Sequence, residues 1–328
     1  MSLFGLRFDF RNPPFAGTTM AERYRAALDM AAWADRLGFA FVVLSEHHGS
    51  ADGYLPSPVT MAAAVAARTE QMRIQIAALI ASFHDPLRLA EDLAVVDLIS
   101  NGRLDVVIAN GYVPDEFAMF DAPVDRRVGR TIETVRALKG AWTAEPFEFR
   151  GRTVRVTPAP FQPGGPSVAL GGSSEAAARR AARLGDGFLP STSEVWKHYR
   201  DEMLRLGHPD PGPGFPADTG MFHLAHDREK GWAEIAPYAL HEVNTYGEWM
   251  ISGGVGGSGG YEPVSDPEVL RETGQYRVLT PDDLLAELED KGSFGFALFH
   301  PMMGGIPPAV AWGSLHLFED EVLPRLPT

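Results

Sequence analysis

The sequence predicts an α/β fold: a (β/α)8 TIM barrel occupying residues 1–328 as one domain. Three observations carry that expectation. Short apolar runs alternate with amphipathic helical spacing, and such alternation builds a parallel sheet with helical crossovers. Eight strand–helix units can be traced, the number that closes a barrel. The chain has 328 residues, 45% of them hydrophobic, enough for one large core. A doubly wound sheet shares this periodicity and is the competing architecture.

The elements follow in order. Leu3 to Phe10 has strand character. Met20 to Leu37 has helical spacing, with Tyr24, Leu28, Ala31 and Leu37 on one side, and stops at Gly38. Phe39 to Leu44 is the next strand. Ser57-Pro58 opens an Ala-rich helix to about Arg68, with proline in the first turn. Met72 to Ile80 is the third strand. Asp85 is a good N-cap for a helix running from Pro86 to Ile99, and Leu104 to Ile108 is the fourth strand. Phe147 to Arg150 and Thr153 to Val156 read as a hairpin insertion around Gly151. Ser167 to Leu170, Asp186 to Leu189, Gly220 to Ala225 and Phe294 to Phe299 are the later strands. Helices fall at Ser174 to Leu184, through Met203, Asp227 to about Met250, Pro281 to Lys291 and Pro307 to Leu323. Ile251 to Val278, with its glycine-rich centre, reads as a long connection that forms a lid over the catalytic face; a surface insertion is the plainer alternative.

Composition narrows the function. There are no cysteines, so disulfide scaffolds, thiolate catalysis and Cys-ligated metal or iron–sulfur sites are excluded. The formal net charge is −14, which disfavours nucleic acid and anionic membranes as partners. The first seven residues lack the basic start and apolar core of a signal peptide. No apolar run approaches the roughly 20 residues that span a bilayer. Cytoplasmic localisation is the expectation.

The residues that could carry chemistry sit at strand ends. Leu44-Ser45-Glu46-His47-His48-Gly49 follows the apolar run Phe39 to Val43. Adjacent strand residues face opposite ways, so both histidines share a pocket only if the strand has ended. Imidazole can serve as general base, hydrogen-bond donor or metal ligand. Packing and capping roles are the plain alternative, and for this triplet function is ranked ahead. Asp9, His84, His223 and His300 mark other strand ends, without the spacing of a metal motif, so no metal site is expected. Gly171-Gly172-Ser173-Ser174 joins a strand to a helix. Its glycines permit close backbone approach and its helix start suits a phosphate, although an ordinary tight turn looks the same. Asn110 and Tyr112 end the fourth strand, where Asn can read a carbonyl or amide edge and Tyr can line an aromatic pocket; a turn with a packed Tyr explains them equally well.

Placed in order, these pieces resemble the bacterial luciferase-like monooxygenase family. The matching run includes Gly38-Phe39, Leu44 to His48, Pro58, Ile74 to Ala78, Asp85 to Asp92, Asp97, Ser100 to Arg103, Asn110 to Tyr112, Gly171 to Ser174, Ala181 to Gly187 and Leu279 to Pro281. The resemblance implies a luciferase-like barrel using reduced FMN from a separate NAD(P)H:flavin reductase. Oxygen would add to the flavin as a C4a-peroxide that oxygenates a small organic substrate. It gives His47 an acid/base role, with His48 and Glu46 as its supports. The family's non-prolyl cis peptide maps to Ala77-Ala78, where small side chains let a flavin ring lie against the backbone. Ala77, Ala78, Asn110, Tyr112, Gly171, Gly172, Ser173 and Ser174 are thereby the expected cofactor-binding residues. One departure stands out: luciferases place a phosphate-binding arginine where this chain has Asn110, so bioluminescence is not implied. F420-dependent oxidoreductases of the same superfamily and a non-catalytic flavin-binding subunit are the alternatives, and a metal hydrolase ranks behind them. A homodimer is expected, packed through the small apolar helix around Val59 to Ala67.

Overall fold

The computed structural model describes residues 2–214, 220–255, 261–290 and 295–326. In chain order the elements are β1 (Leu3–Phe8), α1 (Met20–Arg36), β2 (Phe41–Leu44), α2 (Pro58–Ala66), β3 (Arg73–Ile80), α3 (Pro86–Ser100), β4 (Leu104–Ala109), α4 (Pro114–Met119) and α5 (Arg127–Ala141). There follow β5 (Phe147–Phe149), β6 (Arg152–Val154), β7 (Ser167–Gly172), α6 (Glu175–Leu184), β8 (Gly187–Pro190), α7 (Ser193–Arg205), β9 (Met221–Leu224) and α8 (Arg228–Ser252). The last are α9 (Pro267–Glu272), β10 (Tyr276–Leu279), α10 (Pro281–Asp290), β11 (Phe296–Phe299) and α11 (Pro308–Leu317). They form two compact units. One comprises the described residues of 1–43, 48–56 and 219–328, the other those of 44–47 and 57–218.

In the first unit β1 pairs in parallel with β11, and β9 with β10. The helix α1 forms because Ala26, Ala27, Met30, Ala31 and Ala34 recur on its buried side. Its start is fixed by a capping box: Thr19 accepts the Glu22 N–H, and the Glu22 carboxylate accepts the Thr19 N–H at 2.7 Å. The core is aromatic: the Phe318 ring lies 5.0 Å from Phe4 and 4.9 Å from Phe299, tilted edge to face.

In the second unit β3, β4, β7 and β8 form a parallel sheet in that order. The helix α3 crosses from β3 to β4, and α6 from β7 to β8. The longer crossover from β4 to β7 carries α4, α5 and the antiparallel β5–β6 hairpin. Asp85 caps α3 by accepting the N–H groups of Leu87 and Arg88 at 3.0 and 3.1 Å, with Pro86 in the first turn. The Ala77–Ala78 peptide is cis, and the β3–β4 register shifts between Ala77 and Leu79. Buried Arg103 donates to the carbonyls of Ala66, Thr69 and Met72, tying the end of α2 to the start of β3.

Two expectations need correction. Ile251 to Val278 is not an unbroken connection, because it contains α9 and the start of β10. Asp266 caps α9 with Pro267 in its first turn, and the Tyr276 to Leu279 run finds a partner strand in β9. The glycine-rich centre at 256–260, on which the lid expectation rests, lies outside the described residues. The second correction is α4, a short helix just after Tyr112 that apolar spacing does not reveal.

Candidate functional site

The chain leaves strand geometry at Leu44, so Glu46, His47 and His48 lie in coil and escape strict alternation. Glu46 and His47 are buried, whereas His48 is half-buried and opens the next stretch of the first unit. The other expected site residues lie with Glu46 and His47 in the second unit.

The partners of Glu46 and His47 differ. Glu46 Oε2 accepts the Ile80 N–H at 2.6 Å, and Oε1 lies 2.7 Å from His84 Nε2. Its carboxylate therefore fixes the last residue of β3, two positions beyond the cis peptide. His47 Nδ1 lies 2.8 Å from Glu116 Oε1, on α4. A carboxylate on Nδ1 holds that nitrogen protonated. Tyr112 closes edge-on to His47, with ring centroids 5.9 Å apart.

Local backbone explains how α4 reaches His47. Gly111 has φ +78°, and a Cβ there would meet Ile80 Cγ2 at 2.8 Å. Only glycine makes this turn without strain. Pro114 then starts α4, burying Glu116 and Phe117. Asn110 is half-buried and its Oδ1 accepts the Thr131 hydroxyl at 2.8 Å, which identifies the other amide atom as the NH2 donor. Ala77 and Ala78 are half-buried.

Gly171 and Gly172 end β7. Ser173 and Ser174 are exposed, and Ser174 Oγ accepts the Ala177 N–H at 3.3 Å. The first amides of α6 lie beyond the reach of intrahelical acceptors, at the positive end of the helix. Glu175 carries an opposing charge there, and its carboxylate is paired with Arg179.

Sequence reasoning missed Glu116 and gave His84 no role. The available signal for Glu116 was an acidic residue beside Phe117 in a proline-initiated turn, one step beyond a strand-end Asn-Gly. Among the described residues, one group of His and carboxylate side chains is close enough to hold a metal: Asp9, Glu242 and His300 of the first unit.

Comparison with known proteins completes the picture. The family model for luciferase-like monooxygenases matches residues 4–265, and the chain belongs to that family. The FMNH2-dependent dimethylsulfone monooxygenase of Pseudomonas putida is 32% identical over 211 residues, 60% of this chain and 58% of that protein. The chain thus aligns with a little over half the length of that relative. The F420-dependent glucose-6-phosphate dehydrogenase of Amycolatopsis mediterranei is 27% identical over 192 residues, 55% of this chain and 57% of that protein. The crystal structure of the monooxygenase RslO1 from Streptomyces bottropensis superposes with a TM-score of 0.75 at 27% identity, covering 98% of this chain and 99% of that one. The fold is the luciferase-like, TIM-barrel α/β fold. Its relatives include FMNH2-dependent monooxygenases and F420-dependent enzymes.

Proposed function

We propose that the protein is a flavin-dependent monooxygenase that uses reduced FMN and O2 to oxygenate a small organic substrate. The observation that carries this reading is the buried His47–Glu116 pair at 2.8 Å, in a chain of this family. The residues present fit a flavin. Ala77 and Ala78 offer a low wall with nothing beyond Cβ, and Tyr112 and the Asn110 amide stand in the same unit. Gly172, Ser173 and Ser174 with the first amides of α6 would hold the phosphate. Reduced FMN would supply the electrons for oxygen activation. Within the protein, His47 Nε2 moves the proton, Glu116 holds the ring, and Glu46 with His84 sets the end of β3.

The expected result is binding of reduced FMN and an oxygen-dependent absorbance transient when the complex meets O2. Loss of both sinks the reading. NADPH should be consumed only after a separate flavin reductase is added. The similarity to an F420-dependent dehydrogenase supports a second reading: tight F420 binding with oxygen-independent hydride transfer selects it.

A homodimer belongs to the same proposal. The buried positions of α2 (Met61, Ala62, Val65 and Ala66) face inward, while Val95, Leu98 and Ile99 on α3 are exposed. Sedimentation at micromolar concentration is expected to give a dimer that V95E/I99E dissociates. A wild-type monomer contradicts it. No helix among the described residues is long and apolar enough to cross a membrane.

A further inference from the structure

Two arginines of the first unit, Arg7 of β1 and Arg11 just after it, have opposite surroundings. Arg11 is fully buried and its charge is matched. Its Nη1 donates to Asp52 Oδ2 at 2.5 Å, and its Nε lies 3.9 Å from Asp9 Oδ2. The rings of Tyr54, Tyr246 and Trp249 stand 4.9, 4.9 and 4.6 Å from its guanidinium carbon. Carboxylates and aromatic faces thus share one cation.

Arg7 has no such match. It is half-buried, although its neighbours Leu6 and Phe8 are closed off completely. Strand alternation sends Phe4, Leu6 and Phe8 to one face of β1 and Arg7 to the other. Phe4 packs into the aromatic core against Phe318, so Arg7 points away from that core. Among the described residues its guanidinium makes one hydrogen bond, from Nη2 to the Tyr246 hydroxyl at 3.2 Å, and its Nε is enclosed without an acceptor. Glu242 is the carboxylate that acts on it. Among the described residues the two form no ion pair, and neither Glu242 oxygen accepts a hydrogen bond.

The other groups around Arg7 are Tyr54, Tyr246 and Tyr261, all of the first unit. The Tyr54 and Tyr246 hydroxyls meet at 2.8 Å, and the Tyr261 ring lies 4.7 Å from that of Tyr246. Tyr54 and Tyr246 are buried, whereas Tyr261, like Arg7, keeps accessible surface. Burial pushes Tyr261 up to about 12 and Tyr246 well above its ordinary value, so both hydroxyls stay neutral at physiological pH. The guanidinium stays charged there. An accessible cation among aromatic rings, with N–H groups left over, is a receptor for an anion. A carboxylate suits it, because its two oxygens match the guanidinium fork. The tyrosine rings suit an apolar body attached to that carboxylate.

We propose that Arg7 recognises the carboxylate of a small organic ligand, with Tyr246 and Tyr261 beside it. Taken with the monooxygenase reading, that ligand is the substrate, which makes the substrate class an organic acid. Only this last step rests on that reading. Inorganic phosphate offers similar oxygens without an apolar body and should bind more weakly.

Equilibrium titration of the whole protein without flavin tests this, with benzoate and hexanoate as probes and their neutral amides and inorganic phosphate as comparisons. The carboxylates should bind saturably and about 10-fold or more tighter than the amides and phosphate, the gain expected of a charge-assisted hydrogen bond. R7Q should bring carboxylate affinity down to that of the amides and leave amide affinity unchanged. The proposal is overturned by absent carboxylate binding, by equal affinity for carboxylate and amide, by phosphate binding as tight as the carboxylates, or by undiminished carboxylate binding in R7Q. If R7Q does not fold, R7K serves. A point charge then replaces the fork, so benzoate affinity should fall with benzamide affinity unmoved, and unaltered benzoate affinity overturns the proposal. A wild type that binds the carboxylates but neither binds reduced FMN nor gives the oxygen transient loses the monooxygenase reading and keeps this site without its substrate assignment.

Discussion

At the scale of single residues, Glu116 is the sharpest test of the site. Its carboxylate lies 2.8 Å from His47 Nδ1 and fixes that nitrogen as the protonated one. Glu116→Gln keeps the shape but removes the charge, and the amide can present NH2 to the same nitrogen and favour the wrong tautomer. Oxygen-dependent turnover of reduced FMN should fall by about 10- to 100-fold, the usual cost of losing an orienting partner of a histidine. Its pH profile should shift, while affinity for reduced FMN stays unchanged. An unaltered profile would leave Glu116 a structural role only. His47 was legible in the sequence because a charged run at the end of a buried strand is a costly arrangement with few structural uses. Glu116 was not, because it lies 69 positions away and its burial depends on the Gly111 turn folding α4 back onto β3. Glu46 was legible as a residue, but its role was not, since the bond to the Ile80 N–H is a tertiary contact without a sequence pattern.

At the scale of elements, the junction of β7 and α6 combines the Ser174 cap with a close contact at Gly172. A Cβ on Gly172 would stand 2.4 Å from Ala177 Cβ, so Gly172→Ala must push the start of α6 away from the strand. Overpacking of this kind costs about 1–3 kcal/mol. Thermal unfolding should show that loss, and reduced-FMN affinity should fall with it, because the displaced amides are the ones proposed to face the phosphate. Retained affinity with lowered stability would move the phosphate elsewhere. The elements with strong ends were readable in advance. The α3 helix has Asp85, Pro86 and a long apolar stripe, and the β5–β6 hairpin has Gly151 between short alternating runs. The four-residue β10 was hidden in a glycine-rich stretch, since a strand that short exists only because β9 is there to pair with it.

At the scale of the whole molecule, buried titratable groups set how stability depends on pH. His223 is buried in β9, and desolvation lowers it from its ordinary 6.5 to about 4. Below pH 6.5 the unfolded chain therefore takes up a proton that the folded one refuses, and stability falls as the pH drops toward 4. The span corresponds to about 3 kcal/mol over that window. Asp52 adds its share at lower pH. Although burial works against its ionisation, hydrogen bonds from His241 at 2.7 Å and Arg11 at 2.5 Å hold it far below the usual carboxylate range. Its stabilising contribution is lost only as acid protonates it. Glu242 works in the opposite sense. Its raised folded value means the unfolded chain releases a proton that the folded one keeps, so stability declines as pH rises above the ordinary carboxylate range. The two effects bound the stability maximum from both sides. Denaturant midpoints measured from pH 4 to 8 should fall on the acid side in the wild type. His223→Gln should flatten that limb and leave the alkaline side unchanged; an unchanged acid limb would mean that His223 titrates alike in the folded and unfolded chains.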